Sequence, residues 1–157
     1  MRLLIISDSH KNSFIIDRII RNQPDARHIF FLGDNVSDME ELKSEYTDRI
    51  FHMVKGNCDG FTNYPDYDIV KLENQNILFT HGHNFSVKYG KTRLLEFAKN
   101  CGCSIALYGH THIPDITYEE DIYLVNPGSP SRPRESKPSY AVIDIVSGGI
   151  QPIIIYL

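Results

Sequence analysis

The 157-residue sequence predicts an α/β fold, and three observations carry that reading. Continuous apolar runs such as Leu3-Leu4-Ile5-Ile6 and Ile29-Phe30-Phe31-Leu32 suit strands covered on both faces. Between them lie segments with apolar residues at helical spacing, in a strand-helix-strand-helix-strand rhythm that predicts a parallel sheet. From Ile116 onward the pattern turns to strands punctuated by Gly and Pro. The length suits one domain able to bury its own core.

Residues 3–6 form the first predicted strand. A helix follows from Asn12 or Ser13, either able to cap it, with Ile15, Ile16, Ile19 and Ile20 along one stripe. Residues 29–32 are the second strand. Ser37-x-x-Glu40 reads as a capping box opening a short helix that turns Met39 and Leu42 inward. Residues 50–54 make the third strand. Tyr67–Leu72 and residues 77–80 read as strands joined by an Asn74-Gln75-Asn76 turn. Leu94, Leu95 and Ala98 mark a third helix, and residues 105–108 a further strand. Residues 122–125, 140–145 and 153–156 complete the set, with Gly148-Gly149 as a hairpin turn. The Pro- and Ser-containing residues 126–138 read as one long loop, and no internal repeat is present.

Composition narrows the function classes. A formal charge of −4 argues against a surface built to grip long nucleic acid, where basic residues supply most of the affinity. A small phosphorylated partner stays compatible, because bound cations invert the local field. No apolar stretch approaches a membrane span. The three cysteines (Cys58, Cys101, Cys103) have neither disulfide-framework nor zinc-type spacing. Reduced thiols and the lack of a leader-like start lead to the expectation of a cytoplasmic protein.

The chemistry sits in the turns after the strands: Asp8-Ser9-His10, Gly33-Asp34, Gly56-Asn57, His81-Gly82-His83 and Gly109-His110-Thr111-His112. Right-handed crossovers bring such turns to one sheet edge. Together they offer carboxylate, amide and imidazole donors suited to a pair of divalent cations. Asp34, with two oxygens, is expected to bridge the pair. Asp8, His10 and His112 would complete one metal set, and Asn57, His81 and His110 the other. Two ions so held clamp a phosphate in line with a water whose pKa is lowered towards ~7.

The order D-x-H, G-D, G-N, H, G-H-x-H resembles the calcineurin-like metallophosphoesterases, in particular their small YfcE-type members without a cap insertion. The turn Asn126-Pro127-Gly128-Ser129 is similar to one typical of that group. The resemblance covers roughly residues 1–130. It implies a four-layer α/β/β/α sandwich of two mixed sheets flanked by helices. Two divalent cations, often manganese but also Fe, Co, Ni or Zn, and phosphodiesterase or phosphatase activity are implied as well, and a homo-oligomer would be typical.

One departure stands out: many members carry G-N-H-D/E, where this chain has Gly56-Asn57-Cys58-Asp59. A neutral Cys is a poor general acid, which leads to the expectation that diesters with good leaving groups are favoured over monoesters. Asp59 either orients a ligating His or caps a turn. His83 touches substrate, donates a proton or supports a ligand. His28 and His52 are expected to be structural, and Arg132 and Arg134 to sit on a solvated loop. Two other readings compete. A scaffold that has lost catalysis, like the retromer subunit of the same fold, would show degraded ligands. A nuclease of the superfamily would want more positive charge.

Overall fold

The computed structural model describes residues 1–157. Strands β1 (Arg2–Ile6), β2 (Ala26–Phe31) and β3 (Ile50–Met53) alternate with helices α1 (Ser13–Arg21) and α2 (Val36–Lys43). Strands β4 (Tyr67–Leu72) and β5 (Gln75–Thr80) form a hairpin, followed by a short 3-10 turn over His83–Phe85 and helix α3 (Thr92–Asn100). Strands β6 (Ile105–Leu107), β7 (Pro114–Glu119), β8 (Ile122–Pro127), β9 (Ser139–Val146) and β10 (Gly149–Tyr156) complete the chain.

The strands make two mixed five-stranded sheets, ordered β10-β9-β1-β2-β3 and β4-β5-β6-β8-β7. In the first, β1, β2 and β3 are parallel, with β9 antiparallel to β1. In the second, β5, β6 and β8 are parallel, edged by antiparallel β4 and β7.

Alternation along the central strands explains their unbroken apolar runs. Leu4 and Ile6 of β1 meet Ile16, Ile19, Ile20, Met39 and Leu42 of the α1/α2 layer. Leu3 and Ile5 point the other way, into a core shared with Ile77, Phe79, Ile105 and Leu107 of the second sheet. The outer face of that sheet packs Leu78, Ala106 and Leu124 against Leu94, Leu95 and Ala98 of α3. Three apolar interfaces therefore separate four layers, the α/β/β/α order that the motif resemblance implied.

Local details amend the sequence reading. Asn12 caps α1 as expected, its side chain accepting from Ile15 N at 3.1 Å. The Ser37 capping box does not form, because α2 begins at Val36, before Ser37 can cap it. Its first amides are taken instead by Asp59, which lies on a different loop: Oδ1 accepts from Asn35 N and Val36 N at 2.6 and 2.7 Å. The β4–β5 turn is Glu73-Asn74, both left-handed, so Gln75 and Asn76 already belong to β5. Strand β8 runs on to Pro127, which shortens the predicted long loop to residues 128–138. No helix is long and apolar enough to cross a membrane.

Candidate metal centre

The turns after β1, β2, β3, β5 and β6 all emerge at the C-terminal edges of the parallel strands, and the two sheets bring them together. Backbone hydrogen bonds tie them pairwise: Asp8 N donates to Gly33 O at 3.1 Å, and Gly109 N to His81 O at 3.0 Å. Two glycines make this packing feasible. A Cβ on Gly109 would lie 2.0 Å from Ser7 Oγ, and one on Gly56 would lie 2.2 Å from Asp34 Oδ1. Only a residue without a side chain lets the loops approach so closely.

The donors converge as two groups sharing Asp34. In the first, ligand atoms of Asp8, His10, Asp34 and His112 all lie within 4.8 Å of one another. His10 Nε2 and His112 Nε2 are 3.1 Å apart. Two nitrogens each bonded at ~2.0–2.1 Å to a shared ion would be separated by about that much. In the second group, His81 Nε2 stands 3.2 Å from both Asn57 Oδ1 and His110 Nδ1. Asp34 faces both: Oδ1 is 3.4 Å from His81 Nε2 and Oδ2 is 3.9 Å from His10 Nε2.

The hydrogen bonds of the supporting residues suit cation binding. His81 Nδ1 donates to Leu32 O at 2.7 Å and His112 Nδ1 to Arg132 O at 2.6 Å. In the neutral rings this leaves each Nε2 with its lone pair facing the centre, the arrangement by which a protein fixes the tautomer of a ligating histidine. Asp8 is wholly buried. Its Oδ2 accepts from Ser7 Oγ at 2.6 Å and His110 N at 3.0 Å, while Oδ1 has no hydrogen-bond partner and lies 3.1 Å from His112 Nε2. Burial pushes the Asp8 carboxyl up; positive charge on the nearby His112 and His81 rings, with the Ser7 hydroxyl, outweighs it and holds it below the ordinary range, the part a bound cation plays when those rings are neutral. An ionised, buried carboxylate with one bare oxygen is costly unless a cation meets it. The donor set fits divalent metal.

Backbone conformation points the same way. Asp8, His10, Asp34, His110 and His112 all have positive φ, between 47° and 68°. For non-glycine residues this region costs roughly 1–2 kcal/mol each, and such strain gathers where geometry serves a site. The surrounding hydrogen bonds enforce it. Asn126 Nδ2 donates to Gly109 O at 2.9 Å, Gly128 N donates to Asn126 Oδ1, and Ser129 Oγ donates to Asp8 O at 2.8 Å. The Asn-Pro-Gly-Ser turn thus laces the His110 loop to the Asp8 loop.

The remaining sequence candidates separate by position. Asp59 does not touch a histidine; its Oδ2 accepts from Asp34 N at 2.8 Å and Gly56 N at 2.6 Å, so with Asn35 N and Val36 N it gathers four N–H groups. Cys58 is exposed, and burial of its sulfur together with Asp34, Asp59 and Asp8 pushes the thiol up to about 11. His83 lies beside His81, ring centroids 5.4 Å apart, with a buried Nδ1 that has no partner. His28 and His52 pair with each other at 3.0 Å, away from this centre. Arg132 and Arg134 are exposed yet line the same open cleft of ≈ 330 Å³ as His10, Asp34, Asn57 and His110. Lys88, which carries no motif signal, lines it too. The resemblance singled out the turn of Asn126 and Ser129 but not what it supports, since those contacts span 17 and 121 positions, and Ser7, which bonds its neighbour Asp8, carried no signal of its own.

Comparison with known proteins agrees with the geometry. Residues 1–148 match the family described as the calcineurin-like phosphoesterase superfamily domain. The phosphodiesterase YfcE of Escherichia coli K12 is 30% identical over 168 aligned positions, covering 92% of this chain and 88% of YfcE. A Streptococcus pneumoniae protein described as a predicted phosphoesterase superposes with a TM-score of 0.78 at 26% identity, covering 98% and 97% of the two chains. Vps29 of Entamoeba histolytica complexed with Zn²⁺ shares the fold at a TM-score of 0.73 and 21% identity, covering 99% and 98%. With its motifs, its two-sheet core and this donor cluster, the chain belongs to the calcineurin-like phosphoesterase superfamily.

Proposed function

We propose that this chain is a phosphodiesterase that works with two divalent cations, one held by Asp8, His10, Asp34 and His112 and the other by Asp34, Asn57, His81 and His110. The observation that carries the reading is Asp34, whose two oxygens face the two donor groups separately. When bound, the cations supply Lewis-acid polarisation of the phosphoryl oxygens and a lowered pKa for the attacking water. Manganese is the first choice; the oxygen–nitrogen set also tolerates Fe, Co, Ni or Zn.

The chain's own residues supply the rest. Lys88, Arg132 and Arg134 make a cationic rim around the cleft of a protein whose formal charge is −4, and so favour a phosphate there. Asp59 holds the Asp34 and Asn57 loops at their mutual distance through its four amide contacts. Cys58 stands where a histidine would offer a proton donor, and a thiol is a poor general acid, so departure of a poor leaving group goes unassisted at that position. Diesters with acidic leaving groups are the substrates this favours. The free thiols, with Cys58 exposed, fit a reducing compartment such as the cytoplasm.

The test is hydrolysis of bis-p-nitrophenyl phosphate beside p-nitrophenyl phosphate while metal-free protein is titrated with manganese. Metal-dependent turnover of the diester, with little of the monoester, is the expected result. Equal rates on both would remove the Cys58 argument. Bound metal without turnover of either would move the reading to a non-catalytic scaffold.

A further inference from the structure

Beside the metal cleft lies a second cavity of ≈ 460 Å³. Lys88 and Arg134 line both spaces, so the two adjoin across a shared wall. Thr111, set between His110 and His112, lines the second cavity and not the first. The ligand-bearing segment is therefore itself the partition. The volume is that of a small-molecule site, about 300–1,000 Å³.

The cavity walls differ in character from the metal cleft. Val87, Tyr108 and Ile113 contribute apolar surface. Tyr108 is held rigidly, being 3% exposed within the α3 core while its hydroxyl donates to Asp115 Oδ2 at 2.8 Å. Lys91 Nζ donates to the same Asp115 oxygen at 2.8 Å, a polar pair facing those apolar residues, and Lys88, Thr111, Arg134 and Glu135 make the rest of the lining polar. Sites of this kind combine apolar bulk with a few placed polar groups that orient the ligand.

A phosphodiester carries two ester substituents. In hydrolysis the water oxygen bonds to phosphorus, the P–O bond to one alcohol breaks, and a proton from the water ends on that alcohol. The departing alcohol needs a way out, and the cleft is open beside the exposed Asn57 and Cys58. The other substituent stays on the phosphate and needs a place. We propose that the second cavity is the subsite for this retained substituent, and that it takes a ring-bearing group of nucleoside size. Its ring lies against Ile113 and the edges that Val87 and Tyr108 leave open, and its hydroxyl groups meet Lys91 and Asp115. A methyl ester leaves the space unfilled, and an alkyl chain leaves the Lys91–Asp115 pair facing hydrocarbon.

This assignment rests on the phosphodiesterase reading, and the test separates the two. Thymidine 5′-p-nitrophenyl phosphate and methyl p-nitrophenyl phosphate share a leaving group and differ only in the retained substituent. With manganese-loaded protein, KM for the thymidine ester should be about tenfold lower, the scale of apolar-pocket discrimination. Ile113→Trp, which fills the cavity, and Asp115→Asn, which alters the polar pair, should each bring the two KM values within about twofold. Thymidine 5′-phosphate should likewise inhibit wild type more strongly than methyl phosphate and lose that advantage in both variants. Turnover of both esters with equal KM in wild type, or a preference intact in both variants, would overturn the subsite alone. Turnover of neither by metal-loaded protein would overturn the phosphodiesterase reading and the subsite with it.

Discussion

Asp34 is the residue on which the two-cation reading turns. Cys58 N donates to its Oδ1 at 2.9 Å, and its backbone amide is held by Asp59, so the carboxylate is oriented before any ion arrives. Asp34→Asn should weaken both ions together, dropping bound manganese from two per chain to below one at micromolar metal, with a loss of at least about a hundredfold in diesterase turnover. His112→Ala should chiefly empty the group around Asp8. Metal analysis after gel filtration distinguishes these patterns; two tightly held ions in Asp34→Asn would show that no bridging charge is needed.

At the level of elements, the start of α2 shows how a helix can be capped from outside its own sequence. Asn35 lies in the left-handed region and makes no side-chain cap, and the task falls to Asp59 after β3. Charge-assisted hydrogen bonds of this sort contribute about 1.5–3 kcal/mol each at most, and they are not additive. Asp59→Ala should therefore lower the urea-unfolding free energy by about 2–4 kcal/mol. It should also weaken metal affinity by about 10–100-fold, the usual effect of losing a group that orients ligands. Asp59→Asn, which keeps one oxygen acceptor, should lose less of both. Full metal affinity in Asp59→Ala would mean that the two loops hold their spacing without it.

Across the whole molecule, the sheet-to-sheet core is where pH and stability meet. His52 stacks on Phe30, centroids 4.5 Å apart, stands edge-on to Phe79, and pairs with His28 at 3.0 Å. Burial, with the neighbouring His28, pulls the His52 imidazole down to about 4. Its unfolded value is about 6.5, so between those limits the unfolded chain binds the extra proton and stability rises with pH. The contribution is complete above the unfolded value, is lost as pH falls from about 6.5 through 4, and is flat below. Urea midpoints of metal-free protein at pH 4, 5, 6 and 7 should fall towards acid, and His52→Gln should flatten that slope. An unchanged slope in the variant would assign the acid sensitivity to other groups.

The order of the helices and of every strand but β7, the candidate donors in the turns and the apolar faces were legible in the sequence because each rests on short-range rules; β7, with Ile116 and Tyr118 exposed on an edge strand, offered no apolar run. Apolar runs mark doubly covered strands, Asn12 precedes an amphipathic stripe, and donors follow strands where parallel sheets expose their loops. The Ser37 box was misleading for a physical reason: a distant acceptor, Asp59, holds Asn35 N and Val36 N and so starts the helix one residue before Ser37, which leaves Ser37 inside its first turn. Lys88 and the second cavity were invisible because neither involves a spacing along the chain. The sequence by itself named the candidate donor side chains and placed them at strand ends. The tertiary structure alone decided that Asp34 faces both donor groups, that five donors sit in left-handed backbone, and that Thr111 divides two cavities. Those are relations between loops far apart in sequence, and only the packing of one sheet on the other brings them within a few ångströms.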